Sequence, residues 1–385
     1  MFRCALLAGA AAVAGLIAPT AAGAAATSPA QADAALRGAL RAVVTAPGGP
    51  PGAIAVVQRG SSRHVARAGV ADLRTRNAWR IDDHMRLAST AKAFNGAVAL
   101  SLVQQGRLGL DDTIGTWLPT LPAAWSTITL SELLHHTSGL ANYTASPGFQ
   151  RALGSNLRRR FTHMQLVGFV ARDPLAFAPG SAYAYSNTDN IVAGLMTEAA
   201  ARTPYAQLLR SEVYAPLGLH ATTLPSGWRL PRPLARGYDF ATSSAPPVDV
   251  SEVLSMSGVW AAGGIQSTPA DVTRFVRGYV GGRLFGPAVA HAQRTWVRGN
   301  SDPQGPGVNS AGLSLFRYRV GCGTVYGHTG NIPGYTQFIA ASSDGSRSIT
   351  LSVNTQLSDG SGSPRAFHLL RRAFARGACA ALAGG

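Results

Sequence analysis

Strand-like segments lie near both ends of this chain, and helix-like segments fill the stretch between them. The strand-like segments are residues 53–60, 64–73, 324–328, 335–345 and 347–356. Turns at residues 60–62 and at Asp344-Gly345 predict two hairpins. The pattern predicts an α/β fold in which one antiparallel sheet is built from both chain ends and is flanked by helices.

Helical character is concentrated in three parts of the sequence. Residues 30–46 and 364–382 predict helices next to the chain ends, and the second of these is apolar on one side. Residues 89–224 are helical in character, which predicts a mostly helical subdomain inserted between the two sets of strands. Because no repeat or long linker interrupts the chain, we expect a single domain over residues 25–385.

The first residues have the composition of a secretory signal peptide. A positive charge at Arg3 precedes an apolar run that ends near Ala18, and the small residues 22–24 suit signal peptidase. We therefore expect residues 1–24 to be removed and the mature protein to be exported to the periplasm or outside the cell, without a membrane span. A membrane anchor is the alternative, although the run is short for a span.

The charge balance is strongly basic, since 34 lysine and arginine residues against 18 acids give a formal net charge of +16 at pH 7. Export makes nucleic acid a poor partner for this charge, and the arginines are scattered rather than aligned. We interpret most of the charge as solvated surface, with weak attraction to anionic cell-wall polymers as the alternative. We expect a monomer that needs no cofactor.

Loss of the signal segment leaves two cysteines, Cys322 and Cys379. Two cysteines in an oxidising compartment usually pair, and closing this loop stabilises a fold by about 4 kcal/mol in the loop-entropy model. Two buried free thiols are the alternative. A metal site is not expected, because the sequence has no C-x-x-C, H-x-x-H or H-E-x-x-H spacing.

Lysine occurs once in this arginine-rich chain, at Lys92. It follows Ser89 by three residues, in a stretch where Phe94, Val98 and Leu102 recur every four residues. This spacing predicts an amphipathic helix that begins at Ser89 and carries the serine and the lysine on one face. A hydroxyl at a helix N-terminus meets backbone N–H groups that stabilise negative charge. The pair is a candidate nucleophile and base, and an ordinary surface pair is the alternative.

Two further short motifs carry candidate site residues. Tyr185 and Asn187 lie in the sequence Y-S-N, after a turn at residues 177–180 that presents them on a loop. A tyrosine hydroxyl near an ammonium group can be held ionised, or share its proton, and act as a base. His328 and Gly330 lie in H-T-G on a predicted strand, where the glycine lets a substrate backbone approach closely. A buried structural tyrosine and a packed histidine are the alternatives.

In this order, S-x-x-K, Y-S-N and H-T-G resemble the motifs of the penicillin-recognising serine hydrolases. The Y-x-N form is similar to that of class C β-lactamases and secreted D-alanyl-D-alanine carboxypeptidases, and the histidine of the third motif favours the carboxypeptidases. The resemblance extends over about residues 33–379 and implies a β-lactamase/transpeptidase-like fold. It includes the stretch 134–140, whose His135 and His136 we interpret as structural.

The resemblance also implies a role for each motif. Ser89 is the acylated nucleophile, Lys92 and Tyr185 relay its proton, and Tyr185 activates water for deacylation. The implied substrate-binding residues are Asn187, His328, Thr329, Gly330 and Asn331. Among them, Asn187 binds the substrate amide, residues 328–330 form a strand edge that pairs with substrate, and the N–H groups of Ser89 and Asn331 form the oxyanion hole.

The implied chemistry sets a requirement on the lysine. A neutral Lys92 acting unaided at pH 7 would cost about 4–5 kcal/mol from its reference pKa. Either Tyr185 must take part in the proton transfer, or strong desolvation must lower the pKa of Lys92.

The implied substrate is a D-alanyl-D-alanine peptide, such as a peptidoglycan stem peptide, or a related small amide or ester. Where such carboxypeptidases place an arginine for the terminal carboxylate, this chain has Phe316. If this stretch is a strand, Arg317 faces away from the pocket, and Arg319 is a further candidate cation. An esterase, a β-lactamase and a non-catalytic penicillin-binding protein remain alternatives.

Overall fold

The structure, a computed structural model, describes residues 27–360 and 363–384. The signal segment expected at 1–24 lies outside the described residues. Its strands are β1 Gly52–Arg59, β2 Ser62–Gly69, β3 Met85–Arg86, β4 Tyr238–Asp239, β5 Val248–Asp249, β6 Gln266–Ser267, β7 Val308–Gly312, β8 Leu315–Val320, β9 Gly323–Ile332, β10 Tyr335–Ala341 and β11 Arg347–Val353. Seven of them form an antiparallel sheet in the order β2-β1-β11-β10-β9-β8-β7. The expectation of one antiparallel sheet built from both chain ends is confirmed.

Helices cover both faces of this sheet and fill the middle of the chain. The α-helices are α1 Pro29–Val44, α2 Ala91–Gln104, α3 Ile114–Trp117, α4 Leu130–His135, α5 Pro147–Ser155, α6 His163–Gly168, α7 Asn187–Ala201, α8 Tyr205–Leu208, α9 Ala215–Leu217, α10 Trp260–Gly263, α11 Pro269–Val280, α12 Pro287–Gln293 and α13 Pro364–Leu382. None of the helices within the described ranges is both long enough and apolar enough to cross a bilayer.

Helices α1 and α13 pack together against one face of the sheet. The apolar side of α13 is buried there at Phe367, Leu370 and Phe374, and the ring of Phe374 stacks on that of Phe338 in β10 at 4.8 Å. A disulfide between Cys322 and Cys379 joins the turn before β9 to α13, as the cysteine count predicts. The first and last helices of the described chain are therefore on the same face of the sheet.

The opposite face of the sheet carries α11 and the helical region, with α2 at its centre. Twelve of the fourteen residues of α2 are buried, so the prediction of an amphipathic helix is wrong. Its polar side chains find partners instead of water: Ser101 Oγ donates to Glu212 Oε2 at 2.8 Å, and Asn95 Nδ2 donates to the Asn190 carbonyl at 3.0 Å. Helices α7, α10 and α12 and the segment 209–214 pack around α2, and only its C-terminal end is exposed.

Strands β7 and β8 extend the sheet beyond β9, and the sequence alone suggested β8 only conditionally. Strand β8 pairs with β9 only along Gly323–Gly327, whereas β10 pairs with β9 as far as Ile332. Residues 328–332 of β9 therefore have a backbone partner on the β10 side and none on the β8 side within the sheet. This register leaves an open strand edge beside the start of α2.

Candidate active site

Ser89 lies in a 3-10 turn, Ala88–Thr90, that leads directly into α2. Ala88 and Thr90 are buried while Ser89 is half-buried, and the Thr90 hydroxyl donates to the Leu87 carbonyl at 2.6 Å. Ala88 has φ +52°, a conformation that non-glycine residues seldom adopt and that is found preferentially at functional sites. The turn thus presents the serine hydroxyl at the N-terminal end of α2.

Lys92 is buried completely, one helical turn from Ser89. Its Nζ donates to Ser89 Oγ at 3.1 Å, to Asn187 Oδ1 at 2.7 Å and to the Ala262 carbonyl at 2.7 Å. These three acceptors use all three protons of an ammonium group and fix the position of the nitrogen.

Burial also changes the acidity of this lysine. Desolvation lowers the pKa of Lys92 to about 7, and any negative charge on the neighbouring carboxyls of Asp302 and Asp189 acts in the opposite direction. A large fraction of Lys92 is therefore uncharged near neutral pH. Of the two sources of assistance that the sequence left open, the structure supplies strong desolvation.

Tyr185 lies on the loop between Gly180 and α7, beside the lysine. Lys92 Nζ is 5.0 Å from the centroid of its ring. Burial raises the pKa of Tyr185 well above 10, and the adjacent Ser89 side chain, which lowers it, does not reverse the shift. Its hydroxyl has no other polar partner in the described part of the chain. Burial therefore favours the neutral phenol over an ionised Tyr185, and a proton shared with Lys92 stays a prediction.

Asn187 is the first residue of α7, and the side chain of Ser186 caps this helix by accepting the N–H of Thr188. The Asn187 side chain is held on both ends. Its Oδ1 accepts from Lys92, and its Nδ2 donates to Asn142 Oδ1 at 3.2 Å and to Thr144 Oγ1 at 3.1 Å. Asn187 thus connects the lysine to the loop before α5. No spacing in the sequence signalled Asn142 or Thr144.

His328 is buried in β9 and is uncharged. Burial lowers its pKa to about 3, and Nδ1 lies 2.5 Å from the Thr329 carbonyl oxygen, which requires the proton on Nδ1. Its ring meets that of Phe316 edge to face at 5.0 Å. Nε2 is buried, has no partner among the described residues, and is left as an acceptor.

The remaining residues of the third motif hold the strand against its surroundings. The hydroxyl of Thr329 donates to the Pro303 carbonyl at 2.5 Å, so it is already occupied. Asn331 is half-buried, and its side chain donates to the Leu357 carbonyl at 3.4 Å. Gly330 lies against the turn that carries Ser89. A close approach at this glycine is therefore made by the nucleophile's own backbone, and the approach of a substrate backbone stays a prediction.

Three titratable groups near the lysine were not predicted as part of the site. Asp302 lies on the segment before Pro303, and burial raises its pKa while Lys92 lowers it. His136 and Asp189 form a buried pair with 2.7 Å between Nδ1 and Oδ2. From the sequence we interpret His136 as structural. In the structure its ring lies next to that of Tyr185, with 4.5 Å between the ring centroids, and no sequence pattern indicates this contact.

The facing of β8 corrects the expectation about the carboxylate partner. Phe316 is 2% exposed and packs in the core beneath α1 and α13. Arg317 pairs with Tyr326, so both side chains lie on the sheet face that also carries His328 and Gly330, two and four residues farther along β9. Arg317 does face away from Phe316, and it is Phe316 that is buried in the core, where its ring contacts the ring of His328.

Arg317 lines a wide cavity of about 1050 Å³. Its guanidinium lies 4.8 Å from the Trp296 ring centroid, and Nη2 donates to Ser310 Oγ at 3.2 Å. Arg298 and Arg319 also line the cavity, and no acidic residue of the described chain does. The cavity therefore has a positive wall.

The family model named Beta-lactamase matches residues 36–373, which is most of the chain. The chain belongs to the beta-lactamase family. This agrees with the resemblance to penicillin-recognising serine hydrolases that the three motifs indicated, and it makes the protein a member of the serine hydrolase superfamily.

Members of the beta-lactamase family similar to this chain carry several activities in their names. Penicillin-binding protein 4* of Bacillus subtilis is 24% identical over 279 residues, which cover 70% of this chain and 60% of that protein. Esterase EstB of Burkholderia gladioli is 32% identical over 189 residues, which cover 44% of this chain and 45% of that protein. The chain thus spans about half of the length of these curated relatives.

Solved structures of the beta-lactamase fold match over more of the chain. A D-stereospecific amidohydrolase from Streptomyces sp. superposes with a TM-score of 0.77 at 30% identity, covering 89% of this chain and 98% of that one. Together with relatives named as D-alanyl-D-alanine carboxypeptidases, these matches support acyl-serine hydrolysis as the shared chemistry.

Proposed function

We propose that this protein is an exported acyl-serine hydrolase that cleaves D-alanyl-D-alanine peptides or related D-configured amides and esters. The observation that carries the proposal is the 3.1 Å contact between Ser89 Oγ and the Nζ of a buried lysine whose pKa is lowered to about 7. A lysine in this state can accept the serine proton near neutral pH. Peptidoglycan stem peptides contain the D-alanyl-D-alanine unit and are accessible to an exported protein.

In the first half-reaction, neutral Lys92 accepts the hydroxyl proton of Ser89 while Oγ bonds to the substrate carbonyl carbon. The N–H groups of Ser89 and Asn331 bind the developing oxyanion, and each such donor contributes about 3–4 kcal/mol. The proton then passes from Lys92 through the neutral Tyr185 hydroxyl to the leaving amine or alcohol. The products are the free leaving group and an ester between the acyl group and Ser89.

In the second half-reaction, water attacks the ester carbonyl and its proton passes to Lys92 by way of Tyr185. The acid is released when Ser89 Oγ regains a proton. Asn187 holds Lys92 in place. An extended acyl group can pair with the open edge of β9.

The leaving-group preference is a finer part of the proposal. Arg298, Arg317 and Arg319 form the positive wall of a cavity that residues 180–183, just before Tyr185 in the chain, also line, although Ser89 and Lys92 do not. We propose that this wall binds the carboxylate of a leaving group, as in carboxypeptidase substrates. The similarity to a D-stereospecific amidohydrolase supports the second candidate, an amidase or esterase with a neutral leaving group. We propose carboxypeptidase-like activity as the principal one.

Mass spectrometry tests the acyl-enzyme directly. The protein is incubated with benzylpenicillin or an activated ester, and the adduct is mapped and followed over time. We expect one adduct, on Ser89, that is absent in Ser89→Ala and present in Ser181→Ala, a control whose hydroxyl lies on the exposed turn before Tyr185. An adduct on another serine would contradict the proposal, and an adduct that never decays would favour a non-catalytic penicillin-binding protein.

A further inference from the structure

A serine, an aspartate and a histidine form a buried polar cluster behind Tyr185. Asp189, in the first turn of α7, is completely buried, and His136 is 3% exposed. The Ser138 hydroxyl donates to Asp189 Oδ1 at 2.5 Å, and Asp189 Oδ2 lies 2.7 Å from His136 Nδ1. The serine contacts the aspartate and not the histidine, so the cluster does not have the order of a Ser-His-Asp triad.

The hydrogen bonds of this cluster determine where its protons lie. The N–H of Ser186 is directed at His136 Nδ1 at 3.3 Å, which favours the tautomer whose Nδ1 accepts hydrogen bonds. An accepting Nδ1 carries no proton. In that tautomer the 2.7 Å contact between Nδ1 and Asp189 Oδ2 requires a proton on the carboxyl group, and the longer Ser186 contact shares the same lone pair.

We propose that Asp189 is a neutral carboxylic acid that donates to His136 Nδ1, that His136 carries its proton on Nε2, and that this uncharged pair positions Tyr185 without placing a negative charge beside Lys92. The proposal rests on the proposed function for its catalytic consequence. The location of the protons stands independently of it.

The environment of Asp189 supports the neutral form. Burial raises its pKa well above the usual range, and the Ser138 hydrogen bond and Lys92 oppose this shift only in part. Burial also lowers the pKa of His136 to about 3, so this histidine is no counter-ion for a carboxylate. Within the described chain, the only ion-pair contact of Asp189 is with His136.

His136 holds the loop on both sides of Tyr185. Its carbonyl accepts the N–H of Ala184 at 3.0 Å, its Nδ1 accepts the N–H of Ser186, and its ring lies 4.5 Å from that of Tyr185. His136 itself ends α4 in a left-handed conformation, with φ +59°. Rotation of the imidazole would break the Ser186 contact and release the tyrosine, and the Asp189 hydroxyl prevents that rotation.

The charge on Asp189 matters because Lys92 is the proposed base. Five titratable groups face Lys92. They are Tyr185 from the loop before α7, Asp189 from α7, Asp302 from the segment that precedes β7, His136 from the end of α4 and His328 from β9. Both histidines and the tyrosine are neutral, so the two carboxyls are the nearby groups whose charge can change the pKa of Lys92 beyond the effect of desolvation. An ionised Asp189 would raise the pKa of Lys92 and reduce the neutral fraction that accepts the serine proton.

Replacement of Asp189 distinguishes a neutral carboxylic acid at this position from an ionised carboxylate. Asp189→Asn keeps a donor for His136 and an acceptor for Ser138, whereas Asp189→Ala keeps neither. We expect Asp189→Ala to lose at least tenfold in kcat, Asp189→Asn to recover most of that loss, and the acid limb of the Asp189→Asn pH profile of kcat/KM to coincide with that of the unmodified protein. Thr197→Val, which removes another buried hydroxyl from α7, is the matched control and should leave kcat unchanged.

A limb that moves to lower pH by half a unit or more in Asp189→Asn would show that an anion had been removed and would overturn the proposal. A second readout does not use activity. Long-range proton–nitrogen correlation of the histidine rings, with His136 identified by the signals lost in His136→Asn, should find the proton on Nε2. A proton on Nδ1 would overturn the proposal even if Ser89 chemistry is established, and a proton on Nε2 would stand even if no substrate is turned over.

Discussion

Gly330 of β9 lies in direct contact with the backbone of Ser89. A Cβ atom at position 330 would be 2.7 Å from the Ser89 amide nitrogen, 2.8 Å from the Leu87 carbonyl oxygen and 2.8 Å from the Thr90 nitrogen. These are backbone atoms, so they cannot move aside as a flexible side chain would. The distance between the nucleophile and the open strand edge is therefore set by the absence of a side chain at this position.

Gly330→Ala should impair acylation by pushing the Ser89 turn away from β9. A displacement of about 1 Å at a reacting group can cost on the order of 100-fold in rate. We expect the rate of acylation by a chromogenic ester to fall at least tenfold while circular dichroism stays native. Gly321→Ala is the control, because nothing lies within 4 Å of a Cβ there. Equal acylation rates in the two variants would contradict the contact's importance.

The acylation rate should depend on the protonation of Lys92. Since desolvation lowers the pKa of Lys92 to about 7, the neutral form accumulates above that pH, and kcat/KM should rise with pH through about 7 and then level. Lys92→Arg should nearly abolish acylation, because arginine stays protonated. A rate that does not change between pH 6 and 8 would identify a different base.

The same pKa shift should be visible in stability. A folded pKa near 7 below an unfolded value near 10.5 means that the unfolded chain binds one more proton between these pH values. The free energy of unfolding should therefore rise with pH in this window, by up to about 1.4 kcal/mol per unit for one proton, and be flat with respect to this group below pH 7. Denaturant unfolding of the unmodified protein and of Lys92→Met should differ by this slope. If the unfolding free energies of the two proteins changed with pH in the same way, the pKa of Lys92 would not be lowered in the folded protein.

Arg317 rather than position 316 should control recognition of a substrate carboxylate. Arg317→Gln should lower kcat/KM for an acyl-D-alanyl-D-alanine peptide by about 30-fold or more, since removing one partner of a buried ion pair typically costs about 2–5 kcal/mol. It should leave kcat/KM for a neutral ester substrate within about twofold. Arg371→Gln, on α13, is the charge-matched control. An equal loss with both substrates would argue against a carboxylate partner.

Phe316→Arg provides a contrast at the neighbouring position. It would place a charge in the core beneath α1 and α13 and should reduce stability by several kcal/mol instead of creating a carboxylate site. A stable Phe316→Arg protein with improved peptide cleavage would contradict the facing of β8.

The disulfide should contribute to stability and not to catalysis. Cys322 and Cys379 are 57 residues apart, and closing such a loop contributes about 4 kcal/mol when the bond is unstrained. Reduction, or the Cys322→Ala and Cys379→Ala double variant, should lower the melting temperature and leave activity per folded molecule unchanged. Peptide mapping without reductant should recover the linked peptides. Two free thiols in protein purified without reductant would exclude the bond.

The order of the motifs and the pairing of the chain ends could be predicted without a structure. Each motif spans only a few consecutive residues and can therefore be recognised in the sequence alone: a lone lysine three residues after a serine, a Y-S-N loop and an H-T-G strand. The apolar stripe of α13 is likewise a periodicity along one helix. The sheet built from both ends follows from where the strand-like segments lie.

The facing of Phe316 and Arg317, the contact of Gly330 with Ser89, and the protonation of Lys92 and Asp189 were decided only by the tertiary structure. Facing depends on which residue of β9 each residue of β8 pairs with, and a shift of one residue would exchange the two sides. The pKa of Lys92 depends on water being excluded by α7 and α10, which are far from it in sequence. The sequence by itself determined which groups carry the chemistry, and the packing of distant segments decided their charge and direction, because desolvation and strand register are properties of neighbours in space.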